Sequence, residues 1–236
     1  MSKTVNVVLV PGFWLGGWAW ESVAIVLEQK GIRPYPVTPP GLRPGDRPAG
    51  VNLAQQITDV RIVVADLEGS VVLVGHSAGA SVVNGVLDAE PDRFARVVYV
   101  DDAPLADGQT FPLDAPEGST SLPLPSWDEL ARLGLSSEGL GADQRAEFRE
   151  RARPEPAGVL RSAAHLENPR RKDVPVTVIS CSMPAGELND AIQAGDPFTA
   201  ELADRDVTLA DLPTGHWPML SRAEDLANAI HMSTEQ

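Results

Sequence analysis

The amino-acid sequence predicts a doubly wound, mostly parallel α/β sheet in a single domain, residues 1–236, and three observations predict it. Short β-branched runs recur along the chain, and amphipathic helical patterns lie between them. At 43% apolar residues, a chain of this length has material for one substantial core. The strand runs are continuously apolar rather than alternating, which marks strands covered on both faces and hence parallel.

The runs fall at Val5 to Val10, Arg33 to Thr38, Val71 to Val74, Val97 to Asp101, Val174 to Cys181 and Val207 to Leu212. A helix is predicted from Trp18 to Lys30, closed by Gly31. The next begins after Asn52, with Gln55 three residues on, and repeats Leu53, Ile57, Val60, Val64 and Leu67 on one side. Another covers Ala78 to Ala89, ahead of Pro91, and the last opens on a capping box, Ser221 to Glu224. Residues 104–172 break the alternation. They hold no strand pattern, are rich in Pro, Gly and Ser, and turn helical at Trp127 to Leu133 and Ala142 to Arg151. We read them as a helical cap inserted after the fourth strand, controlling substrate access and selectivity rather than chemistry. Leu105, Phe111, Leu122, Leu124, Trp127, Leu130, Leu133 and Phe148 are its candidates for roofing an apolar pocket.

Thirty-three acidic against 19 basic residues give a formal charge of −14. That sign disfavours nucleic acid and anionic membranes as partners. The longest basic run, Arg170-Arg171-Lys172, reads as a solvated loop. Cys181 is the single cysteine, so neither a disulfide nor a cysteine metal cluster is available, and no metal or cofactor is expected. With no long apolar segment and no signal core, the expectation is an unexported, cytoplasmic protein.

The chemistry is concentrated in Gly75-His76-Ser77-Ala78-Gly79, a G-x-S-x-G between a buried strand and a helix. Such a turn strains the serine backbone and exposes its hydroxyl, and small neighbours avoid clashes. The helix that follows aims its free N–H groups at the serine. A serine needs a base, and His216 follows the last strand across Pro213-Thr214-Gly215, at the same sheet edge. His76 should point away, His165 lies in the insertion and His231 in the last helix.

The chain resembles the α/β-hydrolase superfamily, and within it the plant methylesterase and hydroxynitrile-lyase group. The resemblance rests on Val8 to Trp20, which is similar to that group's His-Gly-x-x-x-Gly-x-Trp-x-Trp opening, with Gly75 to Gly79 and Gly215-His216. It implies an α/β-hydrolase fold and a serine esterase. It also implies that the oxyanion hole uses the N–H groups of Phe13 and Ala78. Pro11 stands where the group usually has a histidine that organises this loop. The lyases of the group carry threonine at position 12 and lysine after the histidine; this chain has Gly12 and Trp217. Ser77 itself counts against dehalogenases and most epoxide hydrolases, which place aspartate there.

The expected activity is therefore hydrolysis of a small-molecule carboxylic ester or lactone. Trp14, Trp127 and Trp217 are the candidate substrate-binding residues. A carbon–carbon-bond hydrolase or lyase, or a non-catalytic ligand-binding member of the fold, shares the same motifs. The resembled group usually carries its acid after the strand corresponding to Val174 to Cys181, where this chain reads Ser182-Met183-Pro184-Ala185-Gly186. Asp101, at the end of Val97 to Val100, matches a shifted acid found in some haloalkane dehalogenases of the fold. Asp102, Glu187 and Asp190 follow in that order, and capping of a loop is the competing use for either aspartate.

Overall fold

The computed structural model describes residues 5–235. Its main sheet has six strands: β1 (Val5–Val10), β2 (Arg33–Pro36), β3 (Ser70–His76), β4 (Arg96–Val100), β7 (Val176–Ser180) and β8 (Val207–Asp211). Two short strands intervene, β5 (Ser121–Leu122) and β6 (Glu155–Pro156). The sheet order is β2-β1-β3-β4-β7-β8, with every neighbouring pair parallel. The central strands β3, β4 and β7 are buried almost throughout, while the edge strands β2 and β8 are not. That difference explains the continuous apolar runs in the middle of the sheet.

Successive strand side chains point to opposite faces, and two core layers result. Val7, Leu9, Val72, Val74, Val98 and Val100 pack under α1 (Glu21–Gln29) and α9 (Ala223–Thr234), through Val23, Leu27, Leu226 and Ile230. Val8, Val10, Val71, Leu73, Val97 and Tyr99 pack on α2 (Leu53–Ala65) and α3 (Gly79–Ala89), through Val60, Val64, Val83 and Val86. The capping box at Asn52 is formed in both directions: Asn52 Oδ1 accepts from the Gln55 N–H, and Gln55 Oε1 accepts from the Asn52 N–H. No helix among the described residues is long and apolar enough to cross a membrane.

The last helix departs from expectation. Residues Pro218–Ser221 form their own short turn, α8, and α9 starts after Arg222 with no side-chain cap. Ser221 Oγ is engaged elsewhere, by Thr214 Oγ1 at 2.9 Å and the Trp217 carbonyl at 3.2 Å. The turn ahead of α9 has taken the hydroxyl that would have capped it.

The stretch between β4 and β7 holds α4 (Trp127–Arg132), α5 (Ala142–Arg151) and α6 (Ala157–Arg161), and, against expectation, the antiparallel pair β5–β6. Leu130 and Phe148 are fully buried in the same cluster as Phe13 and Trp217. Arg171 is not solvated as the basic run suggested. It is buried and paired with Glu201 at 2.9 Å and Asp88 at 3.3 Å. Arg170 does face outward, paired with Asp92.

Candidate active site

Ser77 sits on the turn from β3 into α3 with φ of +50°, a conformation that a non-glycine residue holds only when its surroundings enforce it. The enforcement is steric and polar. A Cβ on Gly75 would lie 2.6 Å from the Gly79 carbonyl, and one on Gly79 would lie 2.6 Å from the Pro11 carbonyl. The Ser77 N–H donates to the Val100 carbonyl at 3.1 Å, tying the turn to β4.

Ser77 Oγ is 2.9 Å from His216 Nε2, and His216 Nδ1 is 2.8 Å from Asp101 Oδ2. A carboxylate can only accept, so Nδ1 carries the proton and Nε2 faces the serine hydroxyl as acceptor. Asp101, itself at φ +54°, also receives the N–H groups of Cys181 at 3.0 Å and Ser182 at 2.7 Å and the Ser182 hydroxyl. Burial works against its charge, but hydrogen bonds from His216 and Ser182 outweigh it and hold the carboxyl below its ordinary range.

The backbone of His216 is gripped from both sides: its N–H donates to the Ser136 carbonyl at 2.7 Å, and its carbonyl accepts from His76 Nε2 at 2.7 Å. His76 therefore does not point away from the serine. It continues the alternation of Val72 and Val74 onto the face that carries Trp20, and its ring lies 4.9 Å from the His216 ring. Burial, and then the proximity of His216, push its pKa down to about 3, so it stays neutral. Among the other carboxylates, Glu187 and Asp190 are exposed on α7 (Ala185–Ala194), and neither hydrogen-bonds to His216 among the described residues. Asp102 borders the same cavity but accepts from the Ala103 N–H at 2.8 Å rather than from His216; burial raises it to about 6.

Ser77, His216, Phe13 and Ala78 border a cavity of about 240 Å³ whose walls include Trp14, Phe111, Leu113, Leu133 and Trp217. Neither the Phe13 nor the Ala78 N–H donates to a protein acceptor among the described residues. Trp127 does not reach this cavity. Its ring packs behind Trp217 at 5.8 Å and Phe148 at 5.5 Å, under the guanidinium groups of Arg145 and Arg149. Of the eight apolar candidates in the insertion, Phe111 and Leu133 line the cavity, together with Pro112, Leu113 and Leu135, which the sequence pattern did not single out.

One charged group near the site had no sequence signal. Glu155 is buried and accepts from the Trp14 N–H at 3.0 Å, with the Gln56 amide at 3.5 Å. Burial raises its pKa from 4.5 to about 7. The folded state therefore holds a proton that the unfolded chain has released between those values, so stability falls as pH rises from about 4.5 to 7, by about 3 kcal/mol. Glu155→Gln has no such proton to lose. Its melting temperature measured across this window should be flatter than wild type and higher at pH 8; parallel curves for the two proteins would contradict the assignment.

A sheet of this order with a serine turn after β3 and a histidine after β8 defines an α/β hydrolase. The model of the alpha/beta hydrolase family matches residues 7–229, and the chain belongs to that family. Among curated proteins it is 35% identical over 100 residues to a carbendazim hydrolyzing esterase of Nocardioides sp. (strain SG-4G), covering 41% of each chain. It is 29% identical over 108 residues to putative methylesterase 14, chloroplastic, of Arabidopsis thaliana, covering 43% of this chain and 30% of that one. In these alignments the chain spans less than half the relatives' length. Among solved structures, an Arabidopsis methylesterase superposes with a TM-score of 0.77 at 18% identity, over 98% of this chain and 99% of that one. An extracellular alpha/beta-hydrolase from a Paenibacillus species gives 0.76 at 24% identity, over 97% and 98%. At these identities the structural likeness speaks for the fold.

Proposed function

We propose that the protein is a serine hydrolase that cleaves a carboxylic ester or lactone through an acyl-enzyme. The observation that carries this reading is the unbroken line of hydrogen bonds from Asp101 through His216 to Ser77, ending in an apolar cavity. In the proposed reaction Ser77 Oγ attacks the carbonyl carbon and passes its proton to His216 Nε2. The oxyanion forms between the Phe13 and Ala78 N–H groups, which have no protein acceptor to give up. His216 then returns the proton to the alcohol oxygen as the C–O bond breaks, and water repeats the sequence on the acyl-enzyme. Asp101 keeps the imidazole in the required tautomer. The aromatic and aliphatic walls favour apolar acyl or alcohol groups, and residues 104–172, acting as a cap, supply Phe111, Leu113 and Leu133 to them. The names of the esterase and methylesterase relatives agree with this chemistry.

The lyase alternative is disfavoured at one position. A Cβ on Gly12 would stand 2.8 Å from Ser77 Cβ and 3.1 Å from His76 Nδ1, leaving no room for the threonine of the resembled lyases. Among the described residues the cavity lining also holds no lysine or arginine to receive a departing cyanide. The test is intact-mass labelling with an organophosphonate, followed by a panel of short and long esters, lactones and thioesters. Wild type should gain one phosphonyl group and Ser77→Ala none. Failure of the wild type to label, with no ester turned over, would defeat the proposal.

A further inference from the structure

Glu155 lies on β6, within the insertion, with a carboxylate that is 1% exposed and has no cation among its hydrogen-bond partners in the described residues. A carboxyl buried in this way costs stability wherever it ionises, and a side chain with no charge to bury would cost less. Its close contact is the Trp14 N–H. Trp14 has φ of +64°, a left-handed conformation that is unfavourable for a bulky residue. Three hydrogen bonds hold it there, and all come from the insertion. Glu155 Oε2 accepts from its N–H at 3.0 Å, its carbonyl accepts from the Arg153 N–H at 2.9 Å, and its indole N–H donates to the Leu122 carbonyl at 3.1 Å. The β5–β6 pair thus grips one residue of the loop after β1.

The residue before the gripped one is Phe13. The peptide plane bearing the Trp14 N–H meets the plane bearing the Phe13 N–H at the Phe13 Cα, so fixing the first restricts the second. Glu155, Phe13 and Ala78 also border one crevice of about 10 Å³, which leaves the loop little space to retreat into. Pro11, earlier in the loop, offers no side-chain donor to do this work from within.

We infer that Glu155 is a positioning residue for the oxyanion hole: by accepting the Trp14 N–H it sets the Phe13 N–H where negative charge develops on the substrate. The inference rests on the reading of Ser77, Phe13 and Ala78 proposed above. The insertion is then more than a wall of the pocket, because it shapes the loop that stabilises the transition state.

Two substitutions separate this role from a structural one. Glu155→Gln keeps an acceptor oxygen for the Trp14 N–H; Glu155→Met, close in volume, has none, and Glu155→Leu serves as a second non-accepting variant. Phosphonate labelling of wild type comes first, since its failure defeats the reading of the site and not this inference. With labelling established, kcat, KM and melting temperature are measured on the ester turned over best. The Gln variant should stay within ~3-fold of wild type in kcat. A folded non-accepting variant should lose ~10–100-fold in kcat, with KM within ~3-fold, because a displaced donor weakens the transition state more than the bound ester. The rate of Ser77 phosphonylation should fall in parallel. The inference is overturned if a non-accepting variant keeps wild-type kcat, or if Glu155→Gln falls as far as Glu155→Met. It is equally overturned if neither Met nor Leu variant folds while the Gln variant does, since Glu155 would then serve stability alone.

Discussion

Ser77→Ala is expected to lower kcat on any ester substrate by at least ~10³-fold, and by as much as ~10⁶-fold if the machinery acts as one unit. The hydroxyl is the atom 2.9 Å from His216 Nε2, and nothing else in the cavity lining offers a nucleophile in contact with that nitrogen. The variant should fold as wild type does. The left-handed turn is set by Gly75, Gly79 and the bond from the Ser77 N–H to Val100, none of which involves the hydroxyl. Steady-state turnover beside a melting curve checks both halves. Wild-type turnover in Ser77→Ala would sink the nucleophile assignment, whereas slow residual hydrolysis would not, because oxyanion donors alone retain some rate.

The second large effect is expected at the acid. Asp101→Asn should cost about 10²–10⁴ in kcat, and the donors around the carboxylate say why. Oδ1 receives the Cys181 and Ser182 N–H groups, so an asparagine would direct its own carbonyl oxygen to them. Its amide NH₂ would then face His216 Nδ1, forcing that nitrogen to accept and Nε2 to carry the proton. An imidazole in that tautomer cannot take the serine proton. Asp102→Asn, whose side chain borders the cavity but caps the Ala103 N–H, and Glu187→Gln, which is exposed, should each stay within ~10-fold of wild type, since neither carboxylate hydrogen-bonds to His216 among the described residues. Near-wild-type kcat in Asp101→Asn, with collapse in either of the others, would move the acid.

Much of this arrangement was legible because it is local. The strand-turn-helix around Ser77, the buried parallel strands and the capped helix after Asn52 are written in runs of neighbouring residues. Strand position pointed to Asp101 and Asp102 together, and only the resemblance to some haloalkane dehalogenases put Asp101 first. What escaped depends on which of several possible partners a side chain takes, most often one distant in the chain. His76 keeps the period-two pattern of Val72 and Val74, and its closeness to the site comes from His216, 140 residues on, whose carbonyl it meets. Ser221 heads a plausible capping box, yet its hydroxyl is taken by Thr214 and Trp217. Trp127 is as aromatic as Trp217, but lies one layer back, behind it. Glu155 sits in Arg153-Pro154-Glu155-Pro156, a stretch that reads as loop, and its partner Trp14 is 141 residues away.

The proposed acid, Asp101, directly follows β4, while most of the donors that steady it, Cys181 and Ser182, directly follow β7, the next strand over. Adjacent parallel strands run about 4.8 Å apart, so the two strand ends are alternative berths for one negative charge beside the same imidazole. An ancestor or an engineered variant carrying a carboxylate on both would have to keep one of them protonated, since two charges cannot share that space. If Asp101 is the acid, the stretch Met183-Pro184-Ala185-Gly186 carries no catalytic carboxylate and serves to lead β7 into α7, with the Ala185 N–H held by Asp211.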